Sequence, residues 1–161
     1  MITVAVLTLS DKGSKGERKD LSGPLIADIL KPIGADLKYY EILPDEKDLI
    51  KKKLLEYCSK VDLILTTGGT GLAPRDVTPD ATLEIIDREV SGIAELMRFE
   101  GFKKTRRAAL SRAVAGVKAN TMIINLPGSP KAVRENLNVI LDIIPHAIEK
   151  IRGDISECAA Q

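Results

Sequence analysis

Apolar residues along this chain fall into two rhythms that take turns. Residues 2–9 and 61–67 are nearly continuous aliphatic, largely β-branched runs bounded by polar residues or glycine, which predicts strands buried on both faces. Residues 36–43 are more mixed and predict a strand nearer a sheet edge; residues 113–118 and 122–126 predict two more, joined by a tight turn at Ala119-Asn120. Between them, apolar positions recur at spacings of three and four. This predicts helices over 24–33, with Ser22 or Gly23 near its start and Gly34 just past its end, over 45–59, with Leu49, Ile50, Leu54 and Leu55 on one face, and over 79–88 and 91–102. A long final helix is predicted over 130–152, with Val133, Leu137, Ile140, Leu141 and Ile144 inward and a bend at Pro145. Alternating strands and helices predict a three-layer α/β domain with a mostly parallel sheet over residues 1–153, and a short flexible tail over 154–161.

In such sheets ligands sit at the carboxyl ends of the strands. Four polar loops are thereby drawn to one edge: the loop that opens at Ser10-Asp11, Pro44-Asp45-Glu46, residues 68–80, and Pro127-Gly128-Ser129-Pro130-Lys131. The third is the richest in chemistry. Gly68, Gly69 and Gly71 permit positive φ and a close backbone approach, and successive N–H groups in such a turn form a nest for phosphate oxygens. Thr70 adds a hydroxyl, Arg75 a guanidinium that grips phosphate through two N–H groups, and Asp76 and Asp80 hard oxygen ligands for Mg2+. Thr78 also fits the N-cap of a helix with Pro79 at its first position, and Asp80 then suits the positive end of that helix. Neither GxxxxGK[ST] nor GxGxxG is present. Asp45 fits two roles, a metal ligand shared with Asp76 or the N-cap of the following helix with Asp48 at N3. Ser129 can cap the helix that Pro130 starts, and the free N–H groups there, with Lys131, suit an anion.

Composition narrows the partners. The chain has 161 residues, 44% hydrophobic and 29% charged, as in ordinary soluble globular domains. A net charge of +1 argues against a nucleic-acid or membrane-surface role, and aromatics at 3% leave few platforms for stacking bases. No apolar run is long enough to span a membrane, and the first residues enter a strand pattern without the regions of a signal peptide. Cys58 and Cys158 are far apart and His146 is the single histidine, so a zinc site is improbable and a reducing cytoplasm is the expected home. Cys58 is expected to pack as a small hydrophobe, and His146 to sit at the surface or an interface. The run Lys103-Lys104-Thr105-Arg106-Arg107 reads as a solvated face, or as a second anion site if the ligand is polyphosphorylated.

The segments Leu7-Thr8-Leu9-Ser10-Asp11, Pro44-Asp45-Glu46, residues 66–82, Ala109-Leu110-Ser111-Arg112 and residues 123–131 together resemble the MogA/MoaB molybdopterin-binding family, which includes the N-terminal domain of gephyrin. The resemblance spans the chain to about Gly153 and departs from the usual pattern at Gly101 and Arg106. It implies a trimeric three-layer α/β protein acting as a molybdopterin adenylyltransferase: with Mg2+, the terminal phosphate of molybdopterin is joined to the α-phosphate of ATP and pyrophosphate leaves. By the same resemblance Asp45 and Asp76 hold Mg2+ and serve catalysis, the Gly68, Gly69, Thr70 and Gly71 loop meets the nucleotide, and Ser111 lies on the pterin side. The loop Pro127, Gly128, Ser129 and Lys131 is carried over as a ligand loop, with Ser10 and Asp11 beside it. The product would pass to a molybdate-inserting enzyme. A non-catalytic molybdopterin-binding module of the MoaB type is the alternative.

Overall fold

The first apolar run becomes Ile2–Leu9 (β1), and it pairs in parallel on one side with Ala35–Leu43 (β2) and on the other with Leu63–Thr67 (β3). The computed structural model describes residues 1–154, so the expected tail lies outside the described residues from position 155 on, as does Cys158. Thr121–Leu126 (β6) lies parallel to β3, and Ala115–Lys118 (β5) and Arg88–Glu89 (β4) complete a six-stranded sheet of order β2-β1-β3-β6-β5-β4, the last two strands antiparallel. The mixed strand expected near an edge is the edge strand β2.

Helices cover both faces. Alternate side chains of the central strands part to opposite sides, as the period of two requires. Val4, Val6, Leu63, Leu65, Met122 and Ile124 pack with Ser22–Leu30 (α2), Ser91–Phe102 (α5), Pro130–Ile140 (α6) and Ile143–Ile151 (α7). Ala5, Leu7, Ile64 and Ile123 pack with Lys47–Cys58 (α3) and Thr78–Leu83 (α4). A four-residue helix, Asp11–Ser14 (α1), follows β1 directly. Gly34, with φ of 66°, ends the turn after α2 as expected. Cys58 joins the second core, and burial pushes its thiol up to about 11. His146 is exposed on α7. Among the described residues no helix is long and apolar enough to cross a membrane.

Two expected helices differ. The segment 79–88 is helical only to Leu83, where Ile85 and Ile86 both donate to the Thr82 carbonyl, and Arg88–Glu89 instead pairs with β5. Tertiary partners decide this: the Asp87 N–H donates to the Val117 carbonyl at 2.8 Å, while its carboxylate accepts from Lys118 and the Ala119 N–H. The long final helix is two, α6 and α7, parted at Leu141-Asp142 ahead of Pro145. A proline has no N–H to donate one turn back and its ring crowds the carbonyl there, so the break falls four residues before it.

At the amino end of the sheet Asp62 ties β1 to the end of α7. It accepts from the Thr3 N–H at 2.8 Å and from the Thr3 hydroxyl, and it accepts from Arg152 at 3.0 Å, whose guanidinium also donates to the Met1 carbonyl.

Candidate active site

The four polar loops do meet, because β1, β2, β3 and β6 all run the same way. They enclose a cleft of about 450 Å3, within the range of small-molecule sites. Its floor is the end of β3. Gly68 and Gly69 take φ values of 100° and 65°, which side chains rarely tolerate. A Cβ on Gly68 would strike the Leu9 carbonyl oxygen, so the first and third loops meet backbone to backbone.

One end of the cleft is acidic. Asp45 does not cap α3, whose cap position is Glu46 and carries no side-chain bond. Its Oδ2 accepts from the Asp11 N–H at 3.1 Å, and its own N–H donates to Asp11 Oδ1 at 3.0 Å, a reciprocal clasp between the first and second loops. Burial, with the charges of Asp11 and Asp76 behind it, pushes the Asp45 carboxyl above its ordinary value, against the pull of the Asp11 N–H. Asp76 folds under its own loop, where one oxygen accepts from the Ala73 N–H at 2.9 Å. Arg75 reaches Asp11 through two bonds of 2.7 Å, and this guanidinium holds the Asp11 carboxyl below its ordinary value. Expected as a phosphate grip, Arg75 thus already has a carboxylate partner.

The other end is basic, with Arg18, Lys19 and the start of α6 in the wall. Ser129 caps α6 by accepting from the Ala132 N–H at 3.2 Å. Asp20 sits below Lys19 and accepts from the Thr8 and Tyr40 hydroxyls and from the N–H groups of Ser22 and Gly23. Burial works to raise its carboxyl, but the four donors outweigh that and hold it low; burial and Asp20 together push the Tyr40 phenol up to about 12. Ser22 ties this wall to the last loop by donating to the Gly128 carbonyl at 2.8 Å.

Residues 5–146 match the family described as "Probable molybdopterin binding domain". The chain belongs to that family. Within it, the chain is 43% identical to a Helicobacter pylori protein named molybdopterin adenylyltransferase, over 95% of this chain and 89% of that one. It is similarly 43% identical to the Drosophila melanogaster molybdenum cofactor synthesis protein cinnamon, of whose length it spans about a quarter, 26%. A solved Thermus thermophilus molybdopterin biosynthesis enzyme, MoaB, is 52% identical, with a TM-score of 0.90 over 96% of this chain and 98% of that one.

In this member of the molybdopterin binding family, Ser10, Asp45, Gly68, Gly69, Asp76, Gly128 and Ser129 line the cleft, and Asp11 and Arg75 stand behind Asp45. Pro127 accepts from the Thr67 hydroxyl at 2.7 Å, and Gly71 makes room for Asp76, whose Oδ2 would lie 2.8 Å from a Cβ there. Thr70 is 93% buried in the loop itself, leaving only 7% exposed. Lys131 and Ser111 are not among the lining residues, and neither is the cationic run, in which Lys103 pairs with Glu100 and Lys104 with Glu135. Asp80, read as a metal ligand, is instead engaged by Arg112 at 3.1 and 3.2 Å, which holds its carboxyl below its ordinary value. Thr78 is not an N-cap either: α4 begins with it, after Val77.

Sequence reasoning gave Arg18, Lys19 and Asp20 no role and placed Ser22 only near the start of a helix, although Asp20 just ahead of Ser22-Gly23-Pro24 is a capping pattern. It also overlooked Arg112. Its N–H donates to the Thr70 carbonyl and its Nε to the Gly71 carbonyl, both at 2.9 Å, and Nη2 donates to the Asp76 carbonyl as well as to Asp80. One residue, through its backbone N–H at Thr70 and its guanidinium at Gly71 and Asp76, therefore staples the whole glycine loop.

Proposed function

We propose that the chain is a molybdopterin adenylyltransferase that uses Asp45 and Asp76 to hold Mg2+. The observation that carries this reading is Asp45 Oδ1, buried and without a hydrogen-bond partner at the acidic end of the glycine-floored cleft. A carboxylate oxygen kept dry and unpaired beside a second carboxylate suits a cation. Among the described residues no three His, Cys, Asp or Glu side chains converge to hold a metal by themselves, and Mg2+ shared with substrate phosphates needs only one or two protein carboxylates. The name of the Helicobacter relative supports the reaction.

In that reaction an oxygen of the terminal phosphate of molybdopterin attacks the α-phosphorus of ATP, and the bond to pyrophosphate breaks. The nucleophile is already anionic, so no strong base is required; alignment and charge neutralisation carry the step. When bound, Mg2+ supplies part of that neutralisation. The chain's own groups supply the rest: the bare backbone at Gly68 and Gly69 lets phosphate oxygens approach, and Arg18 and Lys19 offset negative charge at the opposite end. The same reading places Ser111 on the pterin side and extends to a cytoplasmic homotrimer that hands its product to a molybdate-inserting enzyme.

The test is pyrophosphate release by the purified protein. Release should require ATP, molybdopterin and Mg2+ together, and Asp76→Asn should lower it by more than about a hundredfold, beyond the loss from a merely supporting partner, while molybdopterin still binds. Tight molybdopterin binding with no release under any divalent cation would instead select the binding module.

A further inference from the structure

We infer that Thr78 is a positioning residue for Asp45, acting through a hydroxyl for which Gly69 leaves room. The inference rests on the reading of Asp45 as a metal-binding carboxylate. Among the described residues, the buried side-chain polar atoms without a partner are Asp45 Oδ1 and Thr78 Oγ1. They flank the same point. A Cβ on Gly69 would stand 3.1 Å from Asp45 Oδ1 and closer still to Thr78 Oγ1.

The two atoms are chemically complementary, since a hydroxyl has one proton to give and an ionised carboxylate oxygen only accepts. Thr78 is 0% exposed, so bulk water cannot serve its hydroxyl. Its backbone is otherwise occupied: its N–H donates to the Gly69 carbonyl at 3.2 Å and its carbonyl accepts from the Thr82 hydroxyl at 2.9 Å. The first of these bonds clips Thr78 to Gly69 and so holds the hydroxyl at the empty place beside Gly69 that Asp45 Oδ1 also borders. On the far side, Asp45 Oδ2 is held by the Asp11 N–H. Thr78 Oγ1 and Asp45 Oδ1 are not bonded to each other in this structure; a donation from Thr78 to Oδ1 in the metal-loaded site would leave both carboxylate oxygens held by the chain's own donors. Gly69 then has two duties, its positive φ and the empty place its missing side chain leaves between the two oxygens.

The role can be read without turnover, by titrating Mn2+ into the full-length protein with a non-cleavable α,β-methylene analogue of ATP and following free Mn2+ by electron paramagnetic resonance. Thr78→Val keeps the side-chain shape and removes the hydroxyl, and it should weaken Mn2+ binding by about tenfold or more, as loss of an outer partner does. Thr78→Ser should stay within about twofold of the wild type, and both variants should keep its melting temperature. Gly69→Ala, which retains the hydroxyl but intrudes between the two oxygens, should also weaken Mn2+ binding, and it decides the matter if Thr78→Val fails to fold. Wild-type affinity in Thr78→Val or in Gly69→Ala, with Asp45→Asn weakened, overturns the role of Thr78 and leaves Asp45 a ligand. Wild-type affinity in Asp45→Asn overturns the underlying reading itself.

Discussion

The loop over residues 68–80 and the segment over residues 103–111 were both expected to touch substrate, and they are built in opposite ways. The first is held from a distance: Gly68 donates to the Leu126 carbonyl, and Arg112 reaches back to the carbonyls of Thr70, Gly71 and Asp76. The second satisfies its backbone N–H groups locally, through Thr105 to Gly101, Ala108 to Thr105 and Ser111 to Ala108, and leaves Leu110 more than half exposed. The contrast teaches where precision is required. Charge alignment in a phosphoryl transfer depends on donors fixed in advance, whereas a surface that is satisfied by its own turns can be substituted without disturbing that frame.

Removing the staple should break the contrast most sharply. Arg112→Ala leaves the Asp80 carboxylate and the Gly71 and Asp76 carbonyls without their guanidinium partner, and should cost about 2 to 3 kcal/mol in urea unfolding as well as pyrophosphate release. Lysine there should recover little, because a single ammonium cannot span partners set for a planar fork. Gly68→Ala forces a Cβ onto the Leu9 carbonyl at positive φ and should destabilise by about 2 kcal/mol, read by the same unfolding midpoints. Asp20 sharpens the comparison through pH. Its folded carboxyl lies below the ordinary value, so its contribution is present above about pH 4 and is lost as pH falls through the folded value; Asp20→Asn should flatten the acid limb of stability. Least of all, Lys103→Ala, which removes an exposed pair with Glu100, should shift stability by less than about 0.5 kcal/mol in the same unfolding assay.

What could be read from the chain alone follows from the range of the interactions involved. The parallel strands β1, β3 and β6 were legible because burial on both faces demands unbroken aliphatic runs, and with β2 parallel to β1 the loops after β2 and β3 open on one edge, which brings Asp45 near Asp76. The two-residue strand β4 was not, since only contacts of Asp87 with Val117, Lys118 and Ala119 define it. Arg112 was hidden for the same reason: its partners lie 32 to 41 residues earlier, and nothing in a run of Ser111-Arg112-Ala113 announces them. Thr78 misled in a different way. Thr-Pro-Asp is a sound capping pattern, but the hydroxyl points at Gly69 because the Thr78 N–H is already bonded to the Gly69 carbonyl.

Asp62 carries a consequence for anything tethered to this domain. By gathering Thr3 and Arg152 on one carboxylate, with Met1 beside them, it makes the start of the chain and the end of α7 neighbours, on the rim of the sheet farthest from the cleft. A second module joined before Met1 would depart from that rim, on the side away from the mouth of the cleft. The domain is thereby wired like a plug, with its leading end at the back and the contacts at the front.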